Sequence, residues 1–153
     1  MDMVPLNNGV NMPMLGLGTY ALRGGDCERC VLEALELGYR LFDTAQMYGN
    51  EREVGNALRR GGVPRGELFV TTKLDTSDMG RTRAALEESL DALGLDYVDL
   101  YLIHWPLPKV DRYVEAWQAL IDARERGLVK WIGVSNFLPE HIERLEAETG
   151  VVP

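Results

Sequence analysis

The chain has 153 residues, 46% hydrophobic and 26% charged, with a net charge of -8, the balance of one ordinary globular domain. That acidity argues against nucleic acid or an anionic membrane surface as a partner, since both require basic patches. No apolar run approaches the ~20 residues of a membrane span, and Met1-Asp-Met-Val-Pro5 lacks the basic and apolar regions of a signal peptide, so a cytoplasmic location is expected.

In chain order, Asn7-Asn8-Gly9 between Val4-Pro-Leu6 and Val10-Asn-Met12 predicts a hairpin, because Asn and Gly tolerate positive φ. Leu15-Gly-Leu-Gly-Thr19 reads as the first strand of a larger sheet, followed by a helix from about Asp26 to Leu37 that Gly38 stops. Tyr39-Arg-Leu-Phe-Asp43 is a second strand, Met47-Tyr48-Gly49-Asn50 a turn, and Glu51 to Arg60 a helix ended by Gly61-Gly62. Leu68 to Lys73 is a third strand, and the helix from about Arg81 to Leu93 carries Leu86, Leu90 and Leu93 on one stripe. Val98 to His104 is a fourth strand. Its helix runs from about Asp111 to Arg126, with Val114, Trp117, Leu120 and Ile121 at the same spacing, and stops at Gly127. Trp131-Ile-Gly-Val-Ser135 is a fifth strand and Pro139 to Glu148 a fifth helix, with Pro in the first turn.

Strands alternating with helices predict an α/β fold with a parallel sheet, and an eight-unit barrel of that class keeps its chemistry at the C-terminal strand ends. Asp43, Lys73 and His104 close three successive strands, and Tyr48 follows the first of them by five residues. Side chains alternate faces along a strand, so Val98, Leu100, Leu102 and His104 share a face, as do Leu41 with Asp43, and Phe69 and Thr71 with Lys73. If the apolar members fill a barrel interior, each polar member lands on one rim.

The strand count stops at five. Residues 1–14 form the hairpin, 15–150 five strand-helix units, and Val151-Val-Pro153 the approach to a sixth strand. An eight-unit barrel needs ~250 residues, so the expectation is one incomplete barrel domain, 1–153. Its open edges and uncovered inner face call for a complementary C-terminal half or for self-association.

Taken together, Met12-Pro-x-Leu-Gly-Leu-Gly-Thr19, Phe42-Asp-Thr-Ala-x-x-Tyr-Gly-Asn-Glu51, Thr72-Lys73, Leu102-Ile-His-Trp-Pro106 and Ile132-Gly-Val-Ser-Asn-Phe137 resemble the N-terminal half of an aldo-keto reductase. The short loops and the Tyr-Gly-Asn-Glu form resemble the small bacterial members, such as the diketogluconate reductases. The resemblance implies an (β/α)8 TIM barrel that reduces aldehydes and ketones with NADPH. It implies Tyr48 as general acid, Lys73 as the ammonium that stabilises its anion, Asp43 as the partner of Lys73, and His104 as the donor that orients the carbonyl. Gly18, Thr19, Tyr20, Asp43, Ser135 and Asn136 would lie at the nicotinamide end of the cofactor, and Tyr20, Tyr48, His104 and Trp105 around the substrate. Tyr20 and Asp75 stand where many members have Trp. The chemistry is coherent without the name: an alkoxide left by hydride addition needs a proton, and a phenol of ordinary pKa about 10 gives one up more readily beside an ammonium.

Other motifs carry less. Cys27-Glu-Arg-Cys30 falls inside a helix, with Cys27, Cys30, Val31 and Ala34 on its apolar stripe and no second pair to complete a zinc site, so no metal is expected. Gly16-x-Gly18 lacks the third glycine and the strand-turn-helix setting of a dinucleotide fingerprint. His141, among Glu140, Glu143 and Arg144, reads as part of a solvated helix face. Two functions compete: a carbonyl reductase of which this is the catalytic half, and a non-catalytic binding or regulatory module on the same fold. Retention of all four polar groups favours the first. A mostly apolar pocket with no fixed cation favours aldehydes, α-keto aldehydes or dicarbonyls as substrates.

Overall fold

The computed structural model of the protein describes residues 2–153. A two-stranded antiparallel hairpin, β1 (Met3–Pro5) and β2 (Asn11–Pro13), precedes a five-stranded parallel sheet in the order β3 (Gly16–Gly18), β4 (Leu41–Asp43), β5 (Phe69–Leu74), β6 (Val98–Ile103) and β7 (Val129–Val134). Helices α1 (Gly24–Glu36), α2 (Glu51–Arg60), α3 (Thr82–Leu93), α4 (Tyr113–Glu125) and α5 (Pro139–Thr149) follow strands β3 to β7 in turn. The chain is thus five strand-helix units of an α/β barrel in sequential order. The predicted elements all form, with ends moved by no more than two residues; the β4 strand keeps only the last three of its five predicted residues. The hairpin strands pair Met3 with Pro13, Val4 with Met12 and Pro5 with Asn11, the register that a turn at Asn7-Asn8-Gly9 sets. Val151–Pro153 follow α5 without regular structure.

The core lies between the sheet and its helices. On β6, Tyr101 and Ile103 are fully buried on the helix-facing side, beside Phe42, Leu86, Leu93, Trp117 and Leu120. Each such large side chain contributes about 1.5–3 kcal/mol by leaving water. Helix α2 approaches α3 closely at Gly55, where a Cβ would stand 2.0 Å from the Leu93 carbonyl oxygen, so a larger residue there must push backbone apart. On the opposite face Leu100 and Leu102 of β6, with Trp131 of β7, remain partly exposed. They line a cleft of about 300 Å³ with the hairpin tip and Pro153. The outer strands β3 and β7 each have one neighbour.

At the N-terminal end of the sheet, Asp99 is 4% exposed and collects three partners: Arg65 Nη2 at 2.7 Å, Lys130 Nζ at 3.1 Å and the Val70 N–H at 3.0 Å. Arg65 and Lys130 also pack on the Tyr97 ring, at 4.0 and 4.5 Å from its centroid. A buried carboxylate persists only when paired in this way.

His141 departs from its predicted solvated position. It is 9% exposed and packs against Tyr113 and Phe137, at ring separations of 5.6 and 5.8 Å. Locally, Leu138, which precedes α5, has no side chain to satisfy an orphan amide, and His141 Nδ1 reaches back to accept the Leu138 N–H at 3.0 Å. Cys27 is fully buried and Cys30 half-buried, both free, and burial pushes the Cys27 thiol up to about 11, an inert thiolate precursor.

Candidate active site

Parallel register sets the site. Gly18 pairs with Asp43, Asp43 with Thr71, and Lys73 with Leu102, so the C-terminal ends of β3 to β6 lie side by side. The alternation of each strand then turns Asp43, Lys73 and His104 to the same face. Tyr48 arrives from a short 3-10 turn, Gln46–Tyr48, that closes on Gly49 with φ of 66°, a backbone geometry that costs glycine little.

The four groups meet. Lys73, only 6% exposed, donates to an Asp43 carboxylate oxygen in an ion pair and to the Thr44 carbonyl oxygen at 3.0 Å. The same ammonium lies 3.4 Å from the Tyr48 hydroxyl. The Tyr48 ring stands edge-on to the His104 ring, centroids 5.8 Å apart at 77°. Burial, and after it the Lys73 charge, holds the His104 imidazole below the ordinary histidine value of 6.5. The ring is therefore neutral near pH 7. Its Nδ1 is buried without a hydrogen-bond partner, and leaving the proton on Nε2 avoids burying an unpaired N–H. The arrangement presents a proton donor, a fixed cation beside it and a neutral hydrogen-bond donor on one rim.

The remaining predicted residues surround that rim. Thr19 is fully buried and gives its hydroxyl to the Asp43 carbonyl oxygen at 3.2 Å. Tyr20 is 73% exposed and sets its ring edge-on to Tyr48, centroids 5.3 Å apart. Gly18 is exposed, and a Cβ there would meet nothing within 4 Å. Trp105 is half exposed at the next position after His104. Asn136, with φ of 60°, donates from Nδ2 to the His104 carbonyl oxygen at 2.9 Å and to Ser135 Oγ at 3.0 Å. That geometry leaves the amide oxygen of Asn136 and the Ser135 hydroxyl proton for a ligand.

The aldo/keto reductase family model matches residues 14–153. The chain belongs to that family. An aldo-keto reductase of Mycobacterium bovis is 56% identical over 152 residues, which cover 98% of this chain and 54% of that protein. Methylglyoxal reductase DkgA of Escherichia coli is 50% identical over 150 residues, again covering 98% and 54%. Among solved structures, an aldo/keto reductase from Brucella melitensis superposes with a TM-score of 0.95 at 48% identity, covering 99% of this chain and 60% of that one. A mutant of Gox0644 in complex with NADPH does so with 0.93 at 43% identity, covering 99% and 55%. The chain thus spans about half the length of the curated relatives it matches.

Several residues around this candidate site of the aldo-keto reductase family chain carry no signal of their own in the sequence. Gln46 donates to Asp78 at 2.7 Å and accepts the Asp75 N–H at 3.1 Å, which pins the turn that carries Tyr48. Thr44, beside Asp43, offers Lys73 its carbonyl. Glu51 sits in the first turn of α2, where an acidic residue usually faces water, yet it is 7% exposed and accepts the Thr72 hydroxyl at 2.5 Å, behind the strand that bears Lys73. Thr72 is paired in register with the buried Tyr101. Burial raises the Glu51 carboxyl above its ordinary 4.5.

That shift has a testable sign. The folded chain holds the Glu51 proton at pH values where an unfolded chain has lost it, so the contribution to stability is complete below about pH 4.5 and is lost as pH rises through the folded value. Glu51→Gln keeps an acceptor for Thr72 and cannot ionise. It should be more stable than the parent by ~1 kcal/mol at pH 8, with the gap closing near pH 4.5. Urea midpoints measured across that range give the answer, and a gap independent of pH would remove Glu51 ionisation from the account.

Proposed function

We propose that the chain is the catalytic half of an NADPH-dependent carbonyl reductase, acting on aldehydes, α-keto aldehydes or dicarbonyls. The contact that carries this reading is Lys73 Nζ, which engages Asp43 and Thr44 while lying 3.4 Å from the Tyr48 hydroxyl. Family membership and the NADPH complex of Gox0644 support the cofactor.

The polar groups left free at the rim suit a nicotinamide. A carboxamide needs one acceptor and one donor, which Asn136 Oδ1 and the Ser135 hydroxyl supply, while Gly18, Thr19, Tyr20 and Asp43 flank the same end of the barrel. NADPH, when bound, supplies the hydride. The chain's own work concerns the oxygen. His104 Nε2–H donates to the carbonyl oxygen and stabilises the negative charge that develops on it, and a neutral imidazole does so without giving up its proton. Tyr48 then transfers its hydroxyl proton to that oxygen, completing the alcohol. The Lys73 ammonium stabilises the phenolate left behind, and Asp43 holds Lys73 in place and charged. Tyr20 and Trp105 give the substrate a largely apolar wall.

The test is a substrate panel run with NADPH on the protein with its barrel complete. Reduction of small aldehydes and dicarbonyls is expected; activity confined to phosphorylated sugars would overturn the proposed substrate class.

A further inference from the structure

Asn50 occupies the residue before α2, where asparagine ordinarily turns its side chain back to cap the helix. Here it makes no cap hydrogen bond. The amide is fully buried and spends every strong contact on the two loops of the site. Its Nδ2 donates to the carbonyl oxygens of Thr19, at 2.8 Å, and Leu22, at 3.1 Å, and its Oδ1 accepts the Thr44 hydroxyl at 2.8 Å. Thr19 and Leu22 bracket Tyr20 and Ala21, and Ala21 has φ of 64°, a left-handed geometry that strains a non-glycine residue. Thr44 is the residue whose carbonyl receives the Lys73 ammonium.

We propose that Asn50 is a positioning residue, whose buried amide ties the loop bearing Tyr20 to the loop bearing Thr44 and so holds the Tyr20 ring against Tyr48. The inference rests on the reading of this rim as the carbonyl-reducing site and deepens it by naming what shapes the substrate wall. The Tyr20 ring is mostly exposed, and its loop pays for one strained residue. The Leu22 N–H to the Thr19 carbonyl oxygen, 3.1 Å, closes the turn locally, and Arg23 donates to the Leu22 carbonyl oxygen at 2.8 Å from the solvent side. Only the Asn50 amide, among the described residues, reaches both of those carbonyls from within. A merely stabilising asparagine at this position would be expected to cap α2, and a merely packed one to bond a single segment.

The experiment labels the six tyrosines of the chain with 3-fluorotyrosine and follows them by fluorine NMR, with Tyr20→Phe and Tyr48→Phe to assign the two site resonances. Asn50→Asp keeps the side chain's shape and the acceptor for Thr44 but sets an acceptor against two carbonyl oxygens. In that variant the Tyr20 resonance should move toward the free fluorotyrosine position and the Tyr48 resonance should follow, while those of Tyr97, Tyr101 and Tyr113 stay in place. Site resonances that do not move in a folded Asn50→Asp chain, or all six moving together, would overturn the proposal. If Asn50→Asp fails to fold, Thr44→Val decides by the same criteria: it removes only the hydroxyl that anchors Asn50 Oδ1, and Tyr20 should respond although Thr44 makes no hydrogen bond to it. In the completed enzyme the folded variant should raise KM for the carbonyl substrate about tenfold or more while kcat falls less; equal losses in both would likewise overturn the positioning role. The resonance shifts do not depend on turnover, so a failure of Tyr48 as acid leaves them standing and the two ideas fail separately.

Discussion

Tyr48→Phe, introduced where the barrel is complete, should lower carbonyl reduction by about 10²–10⁴-fold while leaving NADPH affinity close to that of the parent. The substitution removes one oxygen and no charge. The Lys73 ammonium keeps its bonds to Asp43 and to the Thr44 carbonyl oxygen, so the cofactor end of the rim retains its shape. The Phe ring preserves the edge-on contacts that Tyr48 makes with Tyr20 and His104. What is lost is the proton donor alone. Single-turnover measurements with NADPH and a small aldehyde separate this from a binding defect. Turnover within about tenfold of the parent would assign the acid elsewhere, with the His104 imidazole the next group in line.

The second large effect concerns residues 1–153 on their own. This chain should not reduce carbonyls at a useful rate although the four polar groups are assembled, because rate depends on holding the nicotinamide and carbonyl in contact. On the proposed reading the rim offers groups for the nicotinamide end of the cofactor only. The half-exposed Leu100, Leu102 and Trp131 and the open edges of β3 and β7 should also drive association. Solution mass by light scattering, NADPH titration by fluorescence and an aldehyde assay on the same preparation test all parts of this expectation. A monomer that binds NADPH at micromolar concentration and turns over would show that five units suffice.

Much of this was legible beforehand, and the reason is periodicity. Asp43, Lys73 and His104 end apolar runs, and a repeat of two carries the face of the run to its last residue, so their convergence needs only parallel strands in register. Gly38, Gly127 and the apolar helix stripes announced the helix ends and buried faces in the same way. Asn50, Glu51 and His141 were not legible because none of them belongs to a pattern. Each lies at or near a helix N-terminus, where polar residues are ordinary, and each is buried by something distant in sequence: Asn50 by the Thr19–Leu22 turn, Glu51 by Thr72, His141 by Tyr113. Asp99 was hidden by its own strand, a charged residue on the helix-facing side of β6 whose partners come from a preceding turn and from β7.

Asp99 also gives the half-barrel a division of labour. It fastens three neighbouring strands at the end away from the chemistry, using a carboxylate, a guanidinium and an ammonium that touch no part of the rim. At the rim, by contrast, the loops are tied to one another by amide and hydroxyl contacts from Asn50, Thr44 and Gln46, beside the single Lys73–Asp43 ion pair. On the proposed reading, rim loops can therefore be exchanged to change which carbonyl is accepted while the opposite end keeps the strands in register. The converse also holds: a lesion at Asp99 should be felt as a loss of folded enzyme, with the survivors retaining their substrate preference.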